Sequence, residues 1–277
     1  MILGRSRTIQ LMPPRITIVT PSYNQAAFLE ETIRSVLDQG YPNLEYLVVD
    51  GGSTDGSVEI IRRFADRLTH WESCKDRGQS DAINKGFARA TGDIMGWINS
   101  DDMLAPGALG ALAEAYRPGL RWYYGRWGAI WADGSTSRPD EVDPVPVWKF
   151  WDFLFDGAVI TQVATFWNRE LWQEVGSQVL DHPLIMDYEL WMRFARLVPS
   201  TQVQACLGIY REHPAAKTGT SEGKKRYRSA KQRFRFATLR TELSGAVSRG
   251  DLGQAARLLR GCLRPFGRII KRSSGRK

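Results

Sequence analysis

The sequence has few cysteines and no long apolar run. Its three cysteines, Cys74, Cys206 and Cys262, lie far apart without a Cys-x-x-Cys pair. Neither a zinc cluster nor a disulfide framework is therefore expected. We expect a reducing compartment such as the cytoplasm. A membrane-spanning helix needs about 18 consecutive apolar residues, and no such run occurs. Residues 1–14 contain no apolar stretch of signal-peptide length, so an integral membrane protein is not expected.

Two common phosphate-binding motifs are also missing. Neither G-x-G-x-x-G nor the Walker Gly-Lys-Ser/Thr sequence occurs, so a dinucleotide-binding site and a P-loop both lose their main support. With 43% hydrophobic and 25% charged residues, the chain is still an ordinary globular sequence that can bury one sizeable core.

Acidic residues are scarce near the carboxyl end. Residues 224–277 carry 17 Lys and Arg but only Glu242 and Asp251, for a net charge of +15, whereas the other 223 residues carry 28 acids and 21 bases, for −7. Aromatic and basic residues interleave over 224–247, which is typical of a helix that contacts an anionic membrane surface. Packing of this helix on the acidic body is the alternative. No helix-turn-helix, RRM or KH signature accompanies the charge, so nucleic acid is the last partner we expect.

Alternating apolar runs and amphipathic segments predict an α/β fold. The β-branched runs at 16–20 and 44–50 are typical of strands buried on both faces. Helices near 56–66 and 80–90 and a strand at 93–98 continue the alternation, which indicates a mostly parallel sheet. After residue 120, aromatic runs separated by the turn signal Asp133-Gly134 predict antiparallel strands instead.

Polar residues follow three of the predicted strands, at 20–24, 50–56 and 99–102. Ligands of parallel α/β sheets bind beyond the carboxyl ends of the strands. Asp101 and Asp102 are adjacent, and two carboxylates so close together favour a cation or a proton between them, which indicates a divalent metal. Capping of the next helix is an equally good explanation of this pair.

Six segments in order resemble the inverting family-2 glycosyltransferases of the GT-A fold. They are TPSYN, VVDGGSTDGS, DRGQSDAINKG followed by ATGD, NSDD, MDYELW and YREHPAAKT, and the resemblance covers roughly residues 15–218. The resemblance implies a GT-A sheet flanked by helices over 15–223, with a Rossmann-like nucleotide-sugar-binding half at 15–103 and an acceptor-binding half at 104–223. An extension at 1–14 and a basic helical tail at 224–277 lie outside it. The spanning helices and Q-x-x-R-W motif of processive synthases are missing, so a non-processive bacterial type is implied.

This resemblance implies the residues that bind the donor. Tyr23 would stack on the base and Asp50 would accept a hydrogen bond from its imide, which favours a UDP-sugar first and a dTDP-sugar second, although Asp50 also suits a turn. Asp101 would bind Mn²⁺ or Mg²⁺, assisted by Asp102 and by His213, which otherwise is a loop histidine. Asn99 and Ser100 precede Asp101 where the family's D-x-D motif has an acid first. The further nucleotide-binding candidates are Thr20, Pro21, Asn24, Asp76, Arg77 and Asn84.

Asp187 resembles the general base that removes the acceptor proton in an inverting transfer. It opens a predicted helix, so an ordinary cap is the alternative. Arg211 and Lys217 are candidates for the diphosphate, and Trp127 and Trp131 for stacking on the acceptor. The implied acceptor is a saccharide or a lipid-linked saccharide in cell-surface polysaccharide or O-antigen biosynthesis, at the inner face of the cytoplasmic membrane. The competing function is a non-catalytic nucleotide-sugar-binding module whose basic tail binds membrane or nucleic acid.

Overall fold

A computed structural model describes residues 12–117, 119–137, 147–157 and 160–262. Strands and helices alternate through the first hundred of these residues, as the apolar runs predict. The elements are β1 (Ile16–Ser22), α1 (Ala26–Leu37), β2 (Leu44–Asp50), α2 (Ser57–Arg63), β3 (His70–Ser73), α3 (Gln79–Arg89) and β4 (Ile94–Trp97).

The second half mixes strand directions. Its elements are β5 (Met103–Leu104), α4 (Ala108–Ala115), β6 (Trp122–Ile130), β7 (Thr136–Ser137), β8 (Thr165–Asn168), α5 (Arg169–Glu174), α6 (Met186–Leu197) and β9 (Thr201–Arg211). Within the described residues these strands form one sheet in the order β3-β2-β1-β4-β8-β6-β9-β5, with β7 on β6. The predicted hairpin at Asp133-Gly134 is present, since β7 pairs antiparallel with β6, but β6 also pairs parallel with β9.

Parallel pairing aligns the strand ends that form the site. Strands β2 and β4 flank β1 in parallel register, and β3 continues the sheet beyond β2. All seven residues of β1 are buried, because helices cover both faces of a parallel sheet. The turns after β1, β2, β3 and β4 therefore meet at one edge.

A cluster of buried tryptophans fills the core between the sheet and α6. Trp97, Trp122, Trp167 and Trp191 are each at most 1% exposed, and Trp191 stacks on Trp97 with ring centroids 5.7 Å apart. Burial of such large apolar rings contributes strongly to folding. The packing fixes α6 against the strands, and with it the start of α6 beside the sheet edge.

The basic tail begins as two helices, α7 (Ser221–Ser248) and α8 (Leu252–Cys262). Helix α7 starts three residues before the predicted boundary at 224 and packs on the body through Tyr227, Phe234 and Leu239. Arg235 donates hydrogen bonds to the carbonyl oxygens of Leu154 and Phe155. Membrane contact is predicted for the whole basic tail, 224–277, and its last part, 263–277, lies outside the described residues. Among the helices that are described, none combines the length and the apolar character needed to span a bilayer.

Candidate active site

A cavity of about 730 Å³ opens at the carboxyl edge of the sheet. Its walls come from the turns after β1 to β4, from the start of α6 and from the loop that follows β9. The lining includes Pro21, Tyr23, Gly51, Lys75, Asp76, Gln79, Asn99, Ser100, Asp101, Asp102, Gln162, Leu184, Asp187 and Lys217. Residues that are far apart in the sequence thus meet in one cavity.

The turn after β1 contributes an exposed aromatic ring. Pro21 and Tyr23 line the cavity, and Tyr23 is 62% exposed, so its ring faces have room for a stacking partner. Thr20 is fully buried, and its hydroxyl bonds to the hydroxyl of Tyr46 at 3.0 Å. Asn24 has a φ of +50°, and its side chain accepts a hydrogen bond from the Thr54 amide at 2.9 Å. Neither Thr20 nor Asn24 is in the cavity lining, and both side chains bond to the protein instead.

Asp50 organises the turn after β2. Its carboxylate is fully buried and accepts hydrogen bonds from the amides of Gly52 and Ser53 and from the hydroxyls of Ser53 and Ser73. Four donors around two oxygens leave little room for a base imide. In this conformation the structure gives Asp50 the turn role that the sequence also allowed.

Asp76 brings a carboxylate to the cavity beside that turn. It lines the wall and accepts a hydrogen bond from the Gly78 amide at 2.8 Å. A Cβ at position 51 would lie 2.8 Å from Oδ2 of Asp76, so Gly51 lets the carboxylate approach the backbone. Arg77 instead points outward, with its side chain 90% exposed and paired with Asp81 at 2.6 Å.

Asn84 holds a loop. Its Nδ2 donates to the carbonyl oxygen of Val179 at 2.9 Å, and its Oδ1 accepts from the Val179 amide at 2.8 Å. Both functions of the amide are thus used on the segment that leads to Pro183, Leu184 and Asp187. Asn84 therefore supports the cavity wall from outside.

An amide network lies behind the acidic pair. Asn99 Nδ2 donates to Oδ2 of Asp102 and to Oε1 of Gln162, both at 3.1 Å. Asn99 Oδ1 accepts from Gln79 Nε2 at 2.7 Å and from the Trp97 indole at 3.2 Å. The network orients the turn that carries Ser100 and the two acids.

The two adjacent acids have different surroundings. Oδ2 of Asp101 lies 3.1 Å from Nε2 of His213, whose ring packs against Phe28 at 4.4 Å. Asp102 is 3% exposed, and Oδ1 accepts from the backbone amide of Arg211 at 3.0 Å. Burial and the negative charge of Asp101 raise the pKa of Asp102 to about 8. Asp101 therefore offers the more accessible carboxylate of the pair.

Asp101 and His213 supply only part of the ligand set that a metal ion needs. Over the part of the chain that the structure describes, no group of three or more His, Cys, Asp or Glu side chains is arranged to hold a metal ion. The Asp101 and His213 atoms that meet are nevertheless a carboxylate oxygen and an imidazole nitrogen, a pair that suits Mn²⁺ when substrate oxygens and water supply the other ligands.

Asp187 lies in the first turn of α6 and lines the cavity. Its Oδ1 accepts from the amide of the next residue, Tyr188, at 2.7 Å. The capping alternative does not hold, because Ile185 is the N-cap of α6 and no described side chain caps the helix. Burial raises the pKa of Asp187, and the positive charges of Lys231 and Lys217 oppose that rise. Lys217 also lines the cavity and donates to Oε1 of Gln79 at 2.7 Å, and burial lowers its pKa.

Three remaining candidates lie away from the lining. Arg211 pairs with Glu31 and lies over the Phe28 ring at 5.0 Å. Trp127 is half-buried against the core, and Trp131 stands in the turn before β7 with 36% exposure. None of these three residues is in the cavity lining.

Two glutamines that were not among the predicted site residues complete the site. Gln79 links Asn99 to Lys217, and Gln162 links Asn99 to the carbonyl oxygen of Trp97 at 2.6 Å. Gln162 is 8% exposed and stands alone in the apolar stretch AVITQVATFW. A single amide in such a run is the signal that could have identified it, because buried amides require partners.

Residues 17–163 match the sequence profile of Glycosyl transferase family 2. The match covers more than half of the chain, so this protein belongs to the family-2 glycosyltransferases, and the predicted family is confirmed. The chain is also 37% identical over 92 residues to TuaG of Bacillus subtilis, named as a teichuronic acid biosynthesis glycosyltransferase. That alignment covers 32% of this chain and 36% of the relative.

Solved structures confirm the predicted fold class. The mannosyltransferase PcManGT from Pyrobaculum calidifontis, in complex with GDP-Man and Mn²⁺, superposes with a TM-score of 0.58 at 20% identity, over 91% of this chain and 81% of its own. Residues 1–349 of TarS from S. aureus, in complex with UDP-GlcNAc, superpose with a TM-score of 0.57 at 14% identity, over 75% of this chain and 61% of that one.

Proposed function

We propose that this chain transfers a sugar, with inversion, from a nucleotide-diphosphate donor to a saccharide or lipid-linked saccharide in cell-surface polysaccharide biosynthesis. One observation carries the proposal: a single cavity is lined by Tyr23 and Asp101 at the sheet edge, by Asp187 at the start of α6 and by Lys217 from the loop after β9. A nucleotide-sugar donor can thereby lie between the residues that bind its nucleotide and a carboxylate that can act as the general base. The teichuronic acid glycosyltransferase among its relatives supports the cell-surface setting.

Asp187 is the proposed general base. Inversion requires a base on the face of the sugar opposite the leaving diphosphate, where it takes the proton of the attacking acceptor hydroxyl. Burial raises the pKa of Asp187, which brings the carboxylate closer to the working pH at which a base is effective. The positive charges of Lys231 and Lys217 oppose that rise and favour the ionised form.

The donor would lie along the sheet edge. The exposed ring of Tyr23 offers a face for the base, and Asp76 offers the accessible carboxylate for an imide N–H. Lys217 supplies a positive charge for the diphosphate, because an ammonium forms strong charge-assisted hydrogen bonds with phosphate oxygens. A UDP-sugar is the first choice and a dTDP-sugar the second, and the UDP-GlcNAc complex of TarS supports the former.

Asp101 and His213 are the proposed ligands of a divalent cation, with Asp102 held behind them. Imidazole favours Mn²⁺ over Mg²⁺, and PcManGT binds Mn²⁺ with its donor. When bound, the cation would act as a Lewis acid on the leaving diphosphate.

The proposal is tested by thermal stabilisation with a panel of UDP-, dTDP- and GDP-sugars, with and without Mn²⁺, followed by hydrolysis of the donor that binds. Asp187→Asn should retain donor binding and lose at least about 100-fold of the rate, the usual contribution of a general base. Asp181→Asn, an exposed acid in the same segment, is the matched control. A protein that binds a donor but never turns it over would instead be the non-catalytic module, and full activity in Asp187→Asn would refute the assignment of the base.

A groove beside α7 supports an anionic, partly apolar acceptor at a membrane. This α7 groove is lined by Pro183, Leu184, Arg226, Arg233 and Phe234, and Pro183 and Leu184 also line the cavity. Arginines above an apolar floor suit a phosphate next to a lipid chain.

Because α7 packs on the body, charge reversal tests the groove better than truncation does. Arg226→Glu with Arg233→Glu should reduce retention on vesicles rich in anionic lipid, and neutral vesicles are the control. Equal retention of the wild type and the double variant would contradict a role for the groove at the membrane.

A further inference from the structure

Helix α7 contains a buried lysine, although most residues of this helix are exposed or only partly buried. Lys231 is 8% exposed, and its Nζ donates to the carbonyl oxygen of Gly157 at 2.8 Å. The same ammonium lies 4.6 Å from the centre of the Tyr188 ring and 5.8 Å from that of Tyr227. Burying an ammonium is costly even when it is well bonded, so an apolar residue would serve packing alone at least as well.

The position of Lys231 is fixed by its neighbours on α7. Phe234 packs edge-on against Tyr188 at 6.3 Å and against His182 at 5.5 Å. The hydroxyl of Tyr188 donates to the carbonyl oxygen of Phe153, in the same segment that accepts the hydrogen bonds of Arg235. Helix α7 thus covers the first turn of α6, where Tyr188 directly follows Asp187.

We propose that Lys231 is a positioning residue that keeps the carboxylate of Asp187 ionised and in place, so that the first helix of the basic tail completes the active site. This inference rests on the proposed function, because it takes Asp187 as the base. It assigns to α7 a role that lies beyond the residues matching the family, which end at 163.

The charges around Asp187 agree with this arrangement. The groups that act on it are Lys217 from the loop after β9, Lys231 and Tyr227 from α7, and Tyr188 on its own helix. Burial lowers the pKa of Lys231 to about 8, with a further contribution from Arg235, and the negative charge of Asp187 opposes that shift. Lys231 is therefore cationic at neutral pH, where the base must be ionised.

Replacement of Lys231 by an uncharged residue should raise the pKa of Asp187. An opposite charge close to a carboxylate lowers its pKa by about one unit or more, so Lys231→Met should move the acid limb of the rate profile upward by about one pH unit. The rate of donor hydrolysis below that limb should then fall about tenfold, because one pKa unit is tenfold in the ionised fraction. Lys231→Arg keeps the charge and should keep the limb where it is.

The test measures the carboxyl group directly as well as the rate. Protein labelled with ¹³C at the aspartate carboxyl carbons is titrated by NMR without any sugar, and the Asp187 signal is identified by its loss in Asp187→Asn. Arg228→Met, an exposed residue of the same helix, removes an equal charge as the matched control. An upward shift in Lys231→Met but not in Arg228→Met or Lys231→Arg supports the inference.

An unchanged Asp187 titration in Lys231→Met overturns the inference, even if Asp187→Asn abolishes hydrolysis of UDP-GlcNAc. The same shift in Arg228→Met also overturns it, because the effect would then be one of net charge. If Asp187 shifts as expected but Asp187→Asn hydrolyses the donor at the full rate, the proposed base fails while the coupling of the two groups stands. If Lys231→Met folds poorly, Lys231→Gln serves instead, because its amide can still donate to the carbonyl oxygen of Gly157 without the positive charge, and the same shift or its absence decides the inference.

Discussion

Substitution of Asn84 distinguishes a structural role from a nucleotide-binding role more clearly than substitution of the other candidate residues does. Its amide makes two hydrogen bonds to the backbone of Val179, at 2.9 and 2.8 Å. Each such bond contributes about 1 kcal/mol, and leaving its partner unsatisfied costs about 1 kcal/mol or more. Alanine recovers about 0.5 kcal/mol through its higher helix propensity. Asn84→Ala should therefore lower the free energy of unfolding by about 2 kcal/mol, or about 4 to 8 °C in Tm for a domain of this size.

The measurement is urea unfolding together with affinity for UDP. Asn84→Asp keeps the bond from the Val179 amide but loses the donor, so it should lie between the wild type and Asn84→Ala. Arg89→Ala, exposed on the same helix, should change stability by at most about 0.5 kcal/mol. If Asn84→Ala unfolds like the wild type but loses UDP affinity, the side chain touches the nucleotide and the structural argument is wrong.

Two further substitutions test the cavity and the sheet. Lys217→Met should weaken UDP binding by about 10- to 100-fold in calorimetry, since a hydrogen bond to a charged group contributes about 1.5 to 3 kcal/mol; unchanged affinity would remove Lys217 from the diphosphate site. Gly96→Ala should destabilise the fold by about 1 to 3 kcal/mol in urea unfolding, because a Cβ there would lie 2.4 Å from the buried ring of Phe166; an unaffected midpoint would mean that the ring can move.

The first half of the fold was predictable because its information is local. Continuous apolar, β-branched runs at 16–20 and 44–50 are typical of strands buried on both faces, and β1 and β2 occupy those positions. The carboxyl ends of parallel strands then meet at one edge by geometry. The shared edge of Tyr23, Asn99 and Asp101 follows from that rule alone.

What could not be predicted depends on partners distant in sequence. Asn84 is bonded to a residue 95 positions away, and no local pattern shows that its amide is already used. The parallel pairing of β6 with β9 and the burial of Lys231 against α6 also depend on residues that are distant in sequence. A run of charges in a sequence favours a solvated helix. Only the tertiary packing shows that Lys231 is buried.

The amide network around Asn99 explains why an asparagine replaces the first acid of the D-x-D motif. The Trp97 indole can only donate and the carboxylate of Asp102 accepts, so these two neighbours fix which end of the Asn99 amide faces each of them. In Asn99→Asp an oxygen would replace Nδ2 and would face two acceptors, Oδ2 of Asp102 and Oε1 of Gln162.

Loss of two donated hydrogen bonds and repulsion between two carboxylates should lower the free energy of unfolding by about 2 kcal/mol or more at pH 8 and above. Asn99→Ala removes the same bonds without the added charge and should therefore be the milder change. The comparison is made by urea unfolding of both variants without metal. If Asn99→Asp were as stable as the wild type, the amide would be dispensable to the fold, and its replacement of the acid would need an explanation in the bound donor instead.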